Sequence, residues 1–280
     1  MIRKLFIILC ILFLYSSSST GGITDTISGV IARKNAGGVV PLCTSCTPGD
    51  PADKLCEDAD NAGALWCTPD TAYIDGTNTV SAQALTAGLA CTERGTNGLR
   101  VVVTGAQGEL AANGYDLTFL DQVNIHGYFV LISETLDDTD YVTVSEVWDD
   151  NSGSSAALTI VLISGVPKFR LLVNTQAGVE EVLGGAVAAP GTWQEVEFNW
   201  KRNTETVFEG EPPVYGAWFR IDGGTLYTSS DNSITLDERA EEVRIGSTVS
   251  GSGITSGDDI TFEWDMIEVD NDAMPGACAE

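Results

Sequence analysis

Toward its C-terminal end the chain reads Glu263-Trp264-Asp265-Met266-Ile267-Glu268, three carboxylates at a spacing that sugar chemistry can use. Retaining cleavage of a glycosidic bond needs two carboxyl groups about 5–5.5 Å apart, one attacking and one protonating. On a regular strand Glu263 and Asp265 share a face and Glu268 points to the other. Only a bulge in that strand brings Glu268 round to join them. Cys43-x-x-Cys46 is a second candidate, for zinc or for thiol redox chemistry. Zinc wants further soft ligands, and His126 is the one histidine of the chain. A redox pair opens a helix beside a strand, whereas this pair lies among Pro, Thr and Gly. The expectation is therefore structural: Cys43, Cys46, Cys56, Cys67, Cys91 and Cys278 form up to three disulfides, with connectivity open.

Other constellations carry less. Asp58-Ala59-Asp60-Asn61-Ala62-Gly63 starts like an EF-hand loop, but its fifth position is Ala62 and its twelfth Pro69, so key oxygen ligands are missing. His126 has no nucleophile motif near it, and the sequence contains no G-x-S-x-G elbow or phosphate loop. It reads as a satisfied structural residue in a strand. Trp148, Trp193 and Trp218 interrupt the apolar rhythm of their strands and are candidates to meet a sugar, with core packing as the simpler role. The charge is strongly acidic, with 40 Asp and Glu against 14 Lys and Arg and a net −26. Nucleic acid and anionic lipid are thereby excluded as partners. The same carboxylates could hold a hard cation.

The elements that position these residues are strands. Arg3 and Lys4, the apolar run Leu5 to Tyr15 and the small residues Ser16 to Thr20 form the pattern of a cleavable signal peptide over residues 1–20. Eleven apolar residues fall well short of the ~20 needed to span a bilayer, so stable membrane insertion is not expected. The chain is thus expected to be secreted, periplasmic or extracellular. Residues 21–53 read as a cysteine-containing spacer rich in Gly, Thr, Pro and Asp, and 54–280 as the folded domain. Val196, Phe198 and Trp200 alternate with Glu195, Glu197 and Asn199, the period of a sheet with one buried side. Ala217, Phe219 and Ile221 repeat the pattern, and Ile260 to Val269 places Phe262, Trp264 and Met266 on one side. Leu158 to Ile163, a Ser-Gly turn, and Phe169 to Val173 form a hairpin. With no helical stripe and no fixed repeat, the pattern predicts an all-β, antiparallel two-sheet sandwich.

The order of these pieces resembles the concanavalin A-like lectin/glucanase jelly roll, especially its laminin-G-like branch. Leu55-Cys56-Glu57-Asp58 looks like the opening strand, and Asn97-Gly98-Leu99-Arg100-Val101 like the strand after the first hairpin. Gly191-Thr192-Trp193 leads into a strand similar to the family's G-x-W strand, followed by the Asp222-Gly223 turn. Val243-Arg244-Ile245-Gly246 and 258–269 look like the closing strands. Glucanases of this fold carry E-x-D-x-x-E as nucleophile, helper and acid/base, but in mid-chain. Here the stretch fits the final strand better. The resemblance then implies a structural calcium bound by the Asp265 carboxylate and by the carbonyls of Glu57 and Gly98. It also implies a module without catalysis that binds glycans or adheres to surfaces. The rivals are a retaining glycoside hydrolase using Glu263 and Glu268, and a structural component of an envelope or particle.

Overall fold

Alternating apolar and polar residues can bury only one side of each strand, so the strands pair into two sheets that share their apolar faces. A computed structural model describes residues 55–56, 71–88, 97–105, 110–149, 153–175, 178–202, 216–229, 239–248, 254 and 257–270. These residues contain fifteen strands and no α-helix. Sheet A runs in the order β13 (Leu226–Thr228), β12 (Gly216–Ile221), β11 (Gln194–Lys201), β6 (Gln122–Glu134), β15 (Asp259–Asp270), β4 (Asn97–Thr104), β3 (Thr79–Ala84). A short β1 (Leu55–Cys56) also pairs with β15. Sheet B runs β10 (Gly178–Ala186), β9 (Val166–Thr175), β8 (Ser154–Ile163), β7 (Tyr141–Asp149), β14 (Ala240–Ser247), β5 (Ala111–Leu120), β2 (Thr71–Ile74). All the pairings are antiparallel. Consecutive hairpins at the edges of each sheet alternate with long crossovers at its centre, such as β6 beside β15 and β5 beside β14.

The expected alternation holds through the core. Val196, Phe198 and Trp200 of β11, Phe219 of β12 and Phe262 and Trp264 of β15 are all at most 1% exposed. Phe129 of β6 sits at their centre, with its ring 5.3–5.6 Å from those of Trp264, Phe262 and Phe169. The β8–β9 hairpin turns on Ser164 and Gly165, both at positive φ (53° and 73°). Two left-handed residues match the twist of the flanking strands.

The last strand departs from its simple period. Its register against β6 slips between Asp265, opposite Tyr128, and Glu268, opposite His126. The slip is a bulge. Beyond it Ile267 and Val269 take the core positions, so the apolar face is continued by them and the two-residue period does not run unbroken through Met266. The signal peptide, the spacer, Glu57, Cys43, Cys46, Cys67, Cys91 and Cys278 lie outside the described residues. No helix among the described residues is long and apolar enough to cross a membrane.

Candidate active site

Each sheet has an outer face, and the two are built differently. On sheet A the bulge carries out what the E-x-D-x-x-E spacing required: Glu263, Asp265 and Glu268 all point away from the core. Glu263 is nevertheless closed to any substrate. It has no exposure, and its Oε1 accepts from Arg100 Nε at 2.7 Å and Nη2 at 2.6 Å. The backbone N–H of Thr86 adds bonds of 3.0 and 3.1 Å to the two carboxylate oxygens. A carboxylate bonded on both oxygens and without solvent contact anchors β3 and β4 to β15; it does not attack a sugar. Among the described residues, no group of three or more His, Cys, Asp or Glu is arranged to hold a metal.

His126, 1% exposed, lies on the same outer face of sheet A. Its Nε2 donates to Glu195 Oε1 at 3.0 Å, and that bond, more than the opposing effect of burial, holds the Glu195 carboxyl below its ordinary range. Across the strands it faces Glu197 on one side and Glu268 on the other. Glu197 in turn pairs with Arg220, Nη2 to Oε1 at 2.6 Å. Trp218 is half-buried on this face, opposite Asn199 and Thr228, and Trp193 is half-buried at the entry to β11.

Sheet B presents the other arrangement. In one row across β2, β5, β14 and β7 stand Thr71, Gly114, Arg244 and Glu146. The next row holds Asp116, Glu242 and Trp148. Glu146, Glu242 and Arg244 are buried, at 4%, 7% and 9% exposure. Arg244 places its guanidinium between two rings, 3.5 Å from Trp148 and 4.1 Å from Tyr73. Such stacking stabilises a cation by about 0.5–2 kcal/mol per ring, depending on desolvation. Its Nε donates to Glu242 Oε2 at 2.7 Å, and its Nη2 to the Tyr73 hydroxyl at 2.9 Å. The phenol passes the chain on, donating to Glu242 Oε1 at 2.9 Å.

Gly114 makes this cluster possible. A Cβ there would lie 1.9 Å from Glu242 Oε1 and 2.9 Å from the Tyr73 ring, so only glycine lets the carboxylate and the phenol meet above β5. Glu146, directly across from Arg244, accepts from the Thr248 hydroxyl. Asp149 is held by Ser155 Oγ at 3.0 Å and the Gly153 N–H at 3.2 Å. Tyr73, Thr71, Asp116, Trp148, Glu242 and Arg244 line a cavity of about 290 Å³.

Burial first, then the bond to Glu242, pushes the Tyr73 phenol above its usual value of 10. Tyr73 is thus bonded at once to a carboxylate and a guanidinium and placed at a cavity wall. That arrangement suits proton transfer to an oxygen bound there, with Arg244 left to stabilise the phenolate. Sequence reasoning singled out Trp148 but missed Tyr73, Gly114, Glu146, Glu242 and Arg244.

The register also places Asp265 and Gly98, two of the residues in the expected calcium set. β4 pairs with β15 up to Leu99 opposite Trp264, and β1 pairs with it at Leu55 and Cys56 opposite Val269 and Glu268. With β6 on the other side, β4 and β1 lie end to end along one edge of β15. Asp265, 1% exposed, stands at their junction beside Gly98.

No family model matches this chain, and no curated protein matches it. Solved structures do. The cellulose induced protein Cip1 is 16% identical, covering 75% of this chain and 92% of that one, at a TM-score of 0.47. An alginate lyase from Pseudomonas aeruginosa is 8% identical, covering 68% and 85%, at 0.46. An alginate lyase from Chlorella virus is 12% identical, covering 70% and 91%, at 0.44. What the structure itself shows is the expected all-β sandwich of two antiparallel sheets. The expectation of a module without catalysis is corrected at this point. The matching structures include alginate lyases, enzymes by name. The outer face of sheet B, moreover, holds Tyr73, Glu242 and Arg244 bonded to one another at a cavity. The Glu263–Glu268 hydrolase is not upheld either, since Glu263 is sealed.

Proposed function

We propose that this protein is an exported enzyme that cleaves a polysaccharide lying across the outer face of sheet B. The observation that carries the reading is the Tyr73 phenol, bonded to both Glu242 and Arg244 at the wall of a cavity of about 290 Å³. Breaking a glycosidic bond, by water or by elimination, leaves an oxygen that must take up a proton. Tyr73 supplies it. Glu242 fixes Arg244, and Arg244 holds the phenol oxygen as negative charge develops on it. Trp148 lines the cavity beside them.

The test is release of new reducing ends from a broad polysaccharide panel, with Tyr73→Phe as the control. Turnover that falls by about 10²–10⁴-fold in the variant supports the assignment, as expected for a general acid. Unchanged turnover in Tyr73→Phe removes it.

A calcium ion at the β1–β4 junction is proposed as structural. Asp265 would supply its carboxylate and Gly98 and Glu57 their carbonyls, a donor set that suits a hard cation. An identical melting temperature in excess calcium and in excess chelator counts against it. The six cysteines outside the apolar leader are proposed to be oxidised, and intact mass after thiol alkylation without reductant reads this directly.

A further inference from the structure

Trp148 is the residue of the sheet B cavity that the sequence itself marks out, and its ring is already engaged. The Arg244 guanidinium lies between the indole, 3.5 Å away, and the Tyr73 ring, 4.1 Å away. Its bonds to Glu242 and Tyr73 leave from one edge of the plane. Nε and Nη2 reach Glu242 Oε2 at 2.7 Å each, and Nη2 reaches the Tyr73 hydroxyl at 2.9 Å. Bonds along one edge fix that edge but leave a rigid planar group free to tilt about it. The rings against its faces oppose the tilt.

The two rings are not equally firm. Tyr73 belongs to β2, a four-residue strand at the edge of sheet B that pairs with β5 alone. Trp148 belongs to β7, which pairs with β14 on one side and β8 on the other. Local geometry also aims the indole. The register of β7 against β8 slips between Val147 and Trp148, and that of β14 slips between Ala240 and Glu242 against both its neighbours. Glu242 stands directly opposite Trp148, so the two irregularities meet at this pair. A bulge of this kind re-aims the side chain beside it. The indole N–H is buried and has no hydrogen-bond partner among the described residues, so the ring's own polar group does not fix its placement. What the placement achieves is contact with the Arg244 plane. Resting on the proposal that this cavity is the cleavage site, we infer that Trp148 is a positioning residue. Its ring holds the Arg244 plane and, through Arg244, the Tyr73 hydroxyl; it is not a platform for the sugar.

Two variants of the full chain test this: Trp148→Leu, which removes the aromatic face, and Trp148→Phe, which keeps one. The first readout needs no substrate and is hydrogen exchange of the Arg244 Nε–H, followed by NMR. Exchange is expected to quicken by about tenfold or more in Trp148→Leu and by less than about threefold in Trp148→Phe. The backbone amides of Val243 and Ile245 should keep their rates in both. The second readout is kinetic. Trp148→Leu is expected to lower kcat by about 10²-fold with KM within about threefold, whereas Trp148→Phe keeps kcat within about tenfold. A raised KM with kcat unchanged in Trp148→Leu makes the ring a sugar contact and overturns the inference. So does an Arg244 Nε–H as protected in Trp148→Leu as in the unsubstituted chain, or a loosening that spreads to Val243 and Ile245. Quickened exchange at Arg244 alone, with no polysaccharide cleaved or with Tyr73→Phe fully active, would leave the hold of Trp148 on Arg244 standing and remove the cleavage proposal instead.

Discussion

The two outer faces of this sandwich hold much the same residue types and use them in opposite ways. On sheet A, Glu263 meets Arg100 and the Thr86 N–H with both its oxygens, and it has no exposure. On sheet B, Glu242 meets Arg244 in a comparable ion pair, yet that pair carries a phenol at the edge of a cavity. Carboxylate and guanidinium alone therefore say little about function. The difference lies in the third partner. A backbone amide closes the sheet A network, whereas a titratable hydroxyl beside open volume completes the sheet B network.

The sharpest way to break this contrast is to remove one partner on each face. Tyr73→Phe is expected to lower turnover by about 10²–10⁴-fold while the denaturation midpoint stays within error. Should the variant unfold at much lower urea, Tyr73 is structural and the two faces are alike. Glu263→Gln is expected to behave in the opposite sense. Breaking a buried ion pair by removing one partner costs roughly 3 kcal/mol of stability, with turnover per folded molecule unchanged. Urea denaturation followed by assay of the folded fraction separates these effects.

Gly114→Ala probes the sheet B geometry without touching its chemistry. The added methyl would enter the space of Glu242 Oε1 and force the carboxylate off the phenol. A displacement on the order of 1 Å is expected to lower turnover by about 10²-fold. Full activity in this variant would show that the Tyr73–Glu242 bond is not needed.

The smallest expected effect concerns acid stability on sheet A. The His126 bond holds the Glu195 carboxyl below its ordinary 4.5. A depressed folded-state value means that this carboxylate stabilises the fold above pH 4.5, and that the contribution fades as pH falls through the lower, folded-state value. Melting temperature plotted against pH should therefore fall less steeply below pH 4.5 in Glu195→Gln than in the unsubstituted chain. On sheet B the raised Tyr73 value predicts that an alkaline loss of turnover is centred above pH 10. A loss centred near neutrality would assign the titration to another group.

Much of the fold was legible because burial imposes a simple rule on strands. Val196, Phe198 and Trp200 declare a half-buried strand whatever lies around them, and the Ser164-Gly165 turn declares its hairpin by the backbone it permits. The bulge in β15 was legible only as a condition, the one that would bring Glu268 to the face of Glu263. Whether the bulge forms depends on Ile267 and Val269 finding the core against β6, which is a tertiary fact. Even with the bulge formed, the catalytic reading of that strand fails, because Arg100 and Thr86 approach from elsewhere in the chain.

The cluster on sheet B was harder to see for a related reason. Tyr73 and Arg244 are 171 positions apart, and neither belongs to a local motif. Glu242 and Arg244 alternate with Val243 and Ile245 as solvated residues do on any one-sided strand. Only Trp148, a large aromatic on the polar side, betrayed that this side was special.

By itself the sequence determined that the chain would form an antiparallel two-sheet sandwich, since period two and turn chemistry act over a few residues at a time. Tertiary structure alone decided which of the two polar faces carries a cavity lined by a bonded phenol, carboxylate and guanidinium. Strand order brings β2, β5, β14 and β7 side by side, and only that neighbourhood sets Gly114 beneath Glu242 and Tyr73 beside Arg244.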